Sequence, residues 1–287
     1  MVRDVGNSRV RRRIIVATVV IVALVATGLV VRRMWLTDTA RTVDADEAVE
    51  RFRDLSSTTA SQAAAPTLPP AGSDAPTTTQ LPQFASPEPG VYRYTTDGVE
   101  GVDVLGGAEH RYPAETTITI TPDGCGVLLR WDLLKERYEE WRLCATPNGI
   151  EQQRTGAFYH EFFQHGSREE MGCDRGVLMV PADRMQGEVV PLACLLNDRP
   201  WLPEWQVLER DVRTVEGVEV QVTHVRMTVT DDDEYWEHVV ADWWLDDRGL
   251  PIEMTATKQS KSNSGLVGDV VYHETYTVTL ASLTPLR

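Results

Sequence analysis

The chain is short of positive charge: 28 Lys and Arg stand against 43 Asp and Glu, a net charge of -15. Nucleic-acid binding depends on Lys and Arg neutralising phosphates, so this balance argues against a nucleic-acid partner. It argues equally against unassisted binding to an anionic membrane surface. Catalytic signatures are missing too: the chain has no G-x-S-x-G, no P-loop and no dinucleotide fingerprint. No C-x-x-C pair is present, which removes the usual spacing of a four-cysteine metal site. The first cysteine is Cys125, so there is no lipobox to carry a lipid anchor. No internal repeat of fixed period occurs. We therefore expect neither an enzyme nor a bound cofactor or metal.

One long apolar run is present. Residues 14–31, IIVATVVIVALVATGLVV, carry no charge, and Arg9, Arg11, Arg12 and Arg13 precede them. Eighteen residues at ~1.5 Å rise give about 27 Å, close to the hydrocarbon thickness of a bilayer. A single transmembrane helix is the expectation. Five arginines and one aspartate lie in residues 1–13, so positive-inside places that tail in the cytoplasm and the remainder outside. A cleaved secretory signal would also export the bulk. The run exceeds the usual h-region and lacks a clear A-x-A site, which favours retention.

Beyond the span, residues 42–55 (TVDADEAVERFRDL) place Ala45, Ala48, Val49, Phe52 and Leu55 at helical spacing behind a Thr42 or Asp44 cap. Residues 32–55 are thus read as a juxtamembrane amphipathic helix, either packed on nothing in particular or docking on a membrane neighbour. Residues 56–89 are rich in Pro, Thr, Ser and Ala and hold almost no large apolar side chain. Nothing there offsets the entropy of ordering, so a disordered spacer is expected, reaching on the order of 100 Å if extended. Its composition also suits O-glycosylation.

From residue 90 to residue 287 the pattern turns to period two. Strands are expected over Val91–Thr96, Thr116–Thr121, Gly126–Asp132, Arg137–Cys144, Val218–Thr230, Tyr235–Leu245, Leu250–Lys258 and Val270–Leu280. Turn chemistry joins them at Pro122-Asp123-Gly124, Thr146-Pro147-Asn148-Gly149, Glu216-Gly217 and Asp246-Asp247-Arg248-Gly249. Short connections imply a mainly β domain, an antiparallel meander forming a curved sheet, an open barrel or a sandwich. Residues 1–88 carry about +1, which leaves the β domain near -16. All four cysteines fall in this exported part, so two disulfides are expected. Of three pairings, Cys125 with Cys144 and Cys173 with Cys194 each bracket a hairpin-like unit. The first is symmetric about Leu134 and Lys135 and sets Trp131 opposite Tyr138.

Three clusters invite a chemical reading. His160-Glu161-Phe162-Phe163-Gln164-His165 resembles H-E-x-x-H, but an offset of five does not bring both imidazoles to one helix face. The acidic residues Asp231 to Glu234, with Asp246 and Asp247, lack the calcium-loop pattern and read as solvated turns. Trp236, Trp243 and Trp244, near Tyr235, are candidate ligand contacts. Strand neighbours alternate faces, so Trp243 and Trp244 cannot both point inward. Paired carboxylates for glycoside hydrolysis cannot be picked out among so many acids.

The stretch Trp244-Leu245-Asp246-Asp247-Arg248-Gly249-Leu250-Pro251-Ile252-Glu253, then Gly268 to Glu274 and the ending Leu280 to Leu283, resembles the late strands of LolA-like and LppX-like envelope proteins. That resemblance covers about 40 residues and implies a curved sheet with helices over its concave face, carrying lipids or lipoproteins. The segments before Val218 offer little helical pattern to close such a cavity. The overall layout resembles single-pass envelope proteins of actinobacteria, which implies a place but no activity. The expectation is a membrane-anchored extracytoplasmic module that binds an apolar or lipid-like ligand. A structural or accessory protein contacting another envelope protein is the alternative, and a hydrolase with dispersed acids a third.

Overall fold

A computed structural model describes residues 40–62, 84–104, 107–182, 187–265 and 268–287. The expected cytoplasmic tail (1–13) and transmembrane helix (14–31) lie outside these residues. Among the described residues no helix is long and apolar enough to cross a membrane.

The expected β domain forms as one antiparallel sheet curled into a half-barrel. Its strands are β1 (Gly90–Val102), β2 (Ala108–Arg111), β3 (Glu115–Asp123), β4 (Gly126–Leu134), β5 (Arg137–Thr146), β6 (Gly149–Phe162), β7 (His165–Cys173) and β8 (Val177–Pro181). There follow β9 (Val189–Pro191), β10 (Cys194–Leu196), β11 (Arg199–Trp201), β12 (Glu204–Val215), β13 (Val218–Asp231), β14 (Glu237–Leu245), β15 (Pro251–Ser264) and β16 (Gly268–Leu280). Spatial order runs β11-β10-β7-β6-β5-β4-β3-β1-β16-β15-β14-β13-β12-β9, with β2 beside β1 and β8 beside β6. Two meanders, β3 to β7 and β12 to β16, therefore join through β1. Alternation decides what each strand buries: Tyr92 and Tyr94 of β1, Ile118 and Ile120 of β3, Leu129 and Trp131 of β4 and Met254 of β15 pack inside the curl.

One end of the half-barrel carries the turns at 135–136, 163–164 and 232–236; the other carries those at 124–125, 147–148, 216–217 and 246–249. The Glu216-Gly217 turn has both residues at positive φ, 50° and 80°, as a two-residue hairpin requires. The β6–β7 turn uses Phe163 and Gln164 at φ 52° and 63°, residues that sequence gives no reason to expect there. A register shift between Trp141 and Leu143 lets the first half of β6 pair with β8 and its second half with β7.

Both expected disulfides are present, Cys125–Cys144 and Cys173–Cys194. The register of β4 and β5 differs by one residue from the symmetric expectation: Trp131 faces Glu139, and Asp132 faces Tyr138. The strands continue to Leu134 and Arg137, leaving a two-residue tip at Lys135 and Glu136. Cys125 still reaches Cys144 because it sits in the β3–β4 turn beside Gly126, which faces Cys144.

The helix requires two corrections. Helix α1 spans Ala45–Gln62, seven residues into the stretch expected to be spacer. Asp44 caps it, its carboxylate accepting from the Glu47 amide at 2.8 Å. Nor does it stand free: Ala48, Val49 and Phe52 pack on Val91 and Leu286, on the convex side of β1. Arg51 reaches the buried Asp132 at 2.8 Å. The folded unit accordingly begins at Ala40, not residue 90.

Two stability tests follow from this packing. With its two cysteines 21 residues apart in sequence, loss of the second disulfide in Cys173→Ser with Cys194→Ser should lower urea stability by roughly 3 kcal/mol through loop-closure entropy. Phe52→Ala should cost about 3 kcal/mol, measured the same way, whereas a helix packed on nothing would register no loss.

Candidate functional site

The concave interior is polar toward the 135–136 end and apolar below it. Both characters come from single strands in one phase. On β5, Arg137, Glu139, Trp141 and Leu143 all point inward; on β16, Tyr272, Glu274, Tyr276 and Val278 do. On β15 the inward row is Met254, Ala256 and Lys258.

Arg137 is the centre of the polar layer. It donates to Glu139, and to both oxygens of Glu274 at 3.1 and 3.2 Å. Tyr112 donates to Glu274 at 2.5 Å. That tyrosine ring passes close over Gly98, where a Cβ would lie 2.8 Å from it and 2.6 Å from the Thr275 carbonyl. Glu100 accepts from Tyr272 at 2.9 Å, lies 3.0 Å from His110 Nδ1, and is 3.7 Å from Arg137 Nε. Lys258 completes the layer, 3.4 Å from Glu237 and above the rings of Phe158 and Tyr272.

Burial and neighbours divide the charges. Burial pushes the Glu100 carboxyl up, against the opposing pull of His110 and Arg137. Burial likewise raises Glu139, with Arg137 opposing it. Burial acts the same way on Glu274, but Arg137, Lys258 and the Tyr112 hydroxyl outweigh it and hold this carboxyl below its usual range. His160, stacked on Tyr272, is pushed down to about 3 by burial and then by the positive charges of Arg137 and Lys258. It is a neutral ring at any ordinary pH.

Below this layer four tryptophans wall the interior: Trp141, Trp201, Trp205 and Trp243, with Trp205 stacked on Trp243 at 5.1 Å between centroids. The free space there is about 50 Å³. The Trp201 indole N–H is buried and meets no acceptor among the described residues. Where the sheet fails to close, a cleft of about 350 Å³ lies between β8 on one side and β9 and β12 on the other. Val177, Pro181, Val189, Val190 and Val207 line it, and Trp205 lies in its wall as well as in that of the interior.

The three tryptophans taken from sequence do not come together. Trp243 lines the cavity, while Trp244 lies on the outer face, stacked on His224 and under Arg213. Trp236 sits at the β13–β14 turn beside His238. The alternation rule held for Trp243 and Trp244, but Trp141, Trp201 and Trp205 were missed. A usable signal existed: in Arg137 to Leu143 and Tyr272 to Val278, charged residues share the phase of the apolar ones. His160 is half-buried on β6 and His165 exposed at the start of β7. Among the described residues no three His, Cys, Asp or Glu side chains converge as a metal site. No family model matches the chain, and no curated protein or solved structure does either.

Arg137→Met leaves Glu139 and Glu274 facing each other in the interior without their shared cation. Urea unfolding should show a loss of about 3–5 kcal/mol, part of which Glu139→Gln restores in the double variant. The His160 sign is also testable. Between its ordinary 6.5 and about 3, the unfolded chain takes a proton at residue 160 that the folded chain refuses, so stability falls as pH drops through that window. His160→Asn should lose less than the parent between pH 7 and pH 4, read as the change in urea midpoint.

Proposed function

We propose that this chain is a single-pass, membrane-anchored binding module of the cell envelope, N-terminus cytoplasmic, whose half-barrel takes an apolar, lipid-like ligand bearing a hydrogen-bond acceptor. Anchoring is supported by the apolar run 14–31 with its flanking arginines, and export by two disulfides. The observation that carries the ligand reading is the tryptophan-walled interior with an unmatched Trp201 N–H beside a charged layer. Apolar walls with few placed polar groups are the usual make-up of a small-molecule site.

Ligand pockets run to ~300–1,000 Å³, so about 50 Å³ does not admit an acyl chain without movement. The open cleft supports a route, because the unpaired side of β8 faces β12 and β13 and Trp205 lines both cleft and interior. Movement of that ring is the step that would open one space to the other. The module acts by binding, not catalysis.

Titration with a polyene fatty acid such as cis-parinaric acid checks this through energy transfer from the interior tryptophans. Saturable binding is expected, with Ala256→Phe abolishing it by filling the cavity and Trp201→Phe weakening it roughly tenfold by removing one buried donor. Equal binding by parent and Ala256→Phe would refute the interior site and turn attention to a protein partner.

A further inference from the structure

We infer that the interior selects a cationic amphiphile, one whose ammonium head sits between Glu139 and Glu274 and against the aromatic rings beside them. This deepens the ligand reading given above and rests on it. The wall of the cavity is short of positive charge: Glu139, Glu237 and Glu274 line it, and Lys258 is the one basic residue among its lining. Arg137 lies outside that lining and is shared by Glu139 and Glu274. With Glu100 counted, the layer holds four carboxyls against one Arg and one Lys. Charge taken out of water needs a partner of opposite sign, so an anionic head entering here meets three carboxyls, whereas a cationic head meets its counter-ions.

An aromatic ring stands next to each of the two acids. The inward row of β5 runs from Glu139 to Trp141, and that of β16 from Glu274 to Tyr276. Glu139 also faces Phe158 across the β5–β6 pairing, and Trp201 meets the Phe158 ring edge-on at 6.5 Å between centroids. The faces of such rings attract a weakly hydrated cation within about 6 Å. Lys258 already uses this chemistry: its ammonium lies 3.4 Å from Glu237 and 5.8 and 5.6 Å from the ring centres of Phe158 and Tyr272. Held on β15, it pairs with Glu237, while Glu139 and Glu274 divide a single guanidinium. A metal ion is a poorer occupant, because no three His, Cys, Asp or Glu side chains converge among the described residues and hard cations demand a full set of oxygen ligands. The cation that suits the wall is therefore held by charge and ring faces, as an organic ammonium is. Ala241 and Ala256 keep the adjoining wall shallow for the start of an apolar chain, and the unmatched Trp201 N–H takes an acceptor such as an ester oxygen.

The test measures head-group preference at constant chain length. The full chain in a maltoside detergent is titrated calorimetrically with octyltrimethylammonium, octanoate and octanol, and the same titrations of Ala256→Phe are subtracted to remove binding elsewhere. Octyltrimethylammonium should bind about tenfold more tightly than octanoate, with octanol between them. Lys258→Met should strengthen the cation and weaken octanoate. Glu139→Gln should lower affinity for the cation roughly fivefold and leave octanol unchanged. Octanoate binding as tightly as octyltrimethylammonium, or more tightly, overturns the inference while the interior ligand site stands. That comparison needs only the parent chain, so a variant that fails to fold does not affect it. If none of the three probes binds the parent beyond Ala256→Phe, the interior site itself is refuted and the head-group preference falls with it.

Discussion

Strand β1 hydrogen-bonds to β3 along one edge and to β16 along the other, and on that double pairing the half-barrel depends. Neither meander reaches the other without it: β3 to β7 form one sheet segment, β12 to β16 another, and each would present a raw edge. The partners of β1 lie far apart in sequence, Thr95 facing Glu115 on one side and Thr279 on the other. Such a pairing closes a long loop and is slow to form, so the first strand waits for the last. Helix α1 lies across this seam, burying Val91 from outside and bringing Leu286 of the C-terminus into the same contact. The seam, the N-terminal attachment and the C-terminus are thus one packing problem.

The interior charge layer has a different logic. Taking Glu100, Arg137, Glu139 and Glu274 out of water costs several kcal/mol per ion, and mutual attraction rarely returns more than that. Well-packed apolar side chains would serve stability as well. What the charges impose is geometry: Arg137 on β5 joins Glu274 on β16 across the curl, through 137 residues of sequence separation, while Tyr112 and Tyr272 fill the remaining acceptor sites. Directional contacts across the concavity hold the two meanders at a set separation, and the tryptophan-walled space below takes its width from them. The carboxyls of Glu139 and Glu274 share one guanidinium; burial pushes the first up, while Arg137, Lys258 and Tyr112 hold the second down.

Much of the strand pattern was legible because a half-buried strand alternates. TTITIT at Thr116–Thr121 and the alternating run Val270–Leu280 need no tertiary knowledge to be seen as strands. Turns written in Asn, Asp and Gly were legible as well. The β6–β7 hairpin was not, since Phe163 and Gln164 occupy left-handed conformations that their side chains do not advertise. The register of β4 and β5 missed by one residue because a bulge near Asp132 and a tip at Lys135 and Glu136 are set by packing, not by symmetry of the sequence. Helix α1 was visible by its spacing, but its face of Ala48, Val49 and Phe52 carries no mark of what it will meet.

The sequence by itself determined the antiparallel β class, the acidic character of the β domain and the single apolar run, and it offered the two disulfide pairings as one of three. These are local or compositional properties: alternation, bracketing and charge are read within a few residues of one another. Only the tertiary structure decided that β1 bridges the meanders, that Trp141, Trp201, Trp205 and Trp243 share a cavity while Trp244 lies outside, and that the N-terminal helix is part of the domain. Each of these joins residues far apart in sequence, and contact between such residues is selected by the packing of the whole chain, which no local pattern encodes.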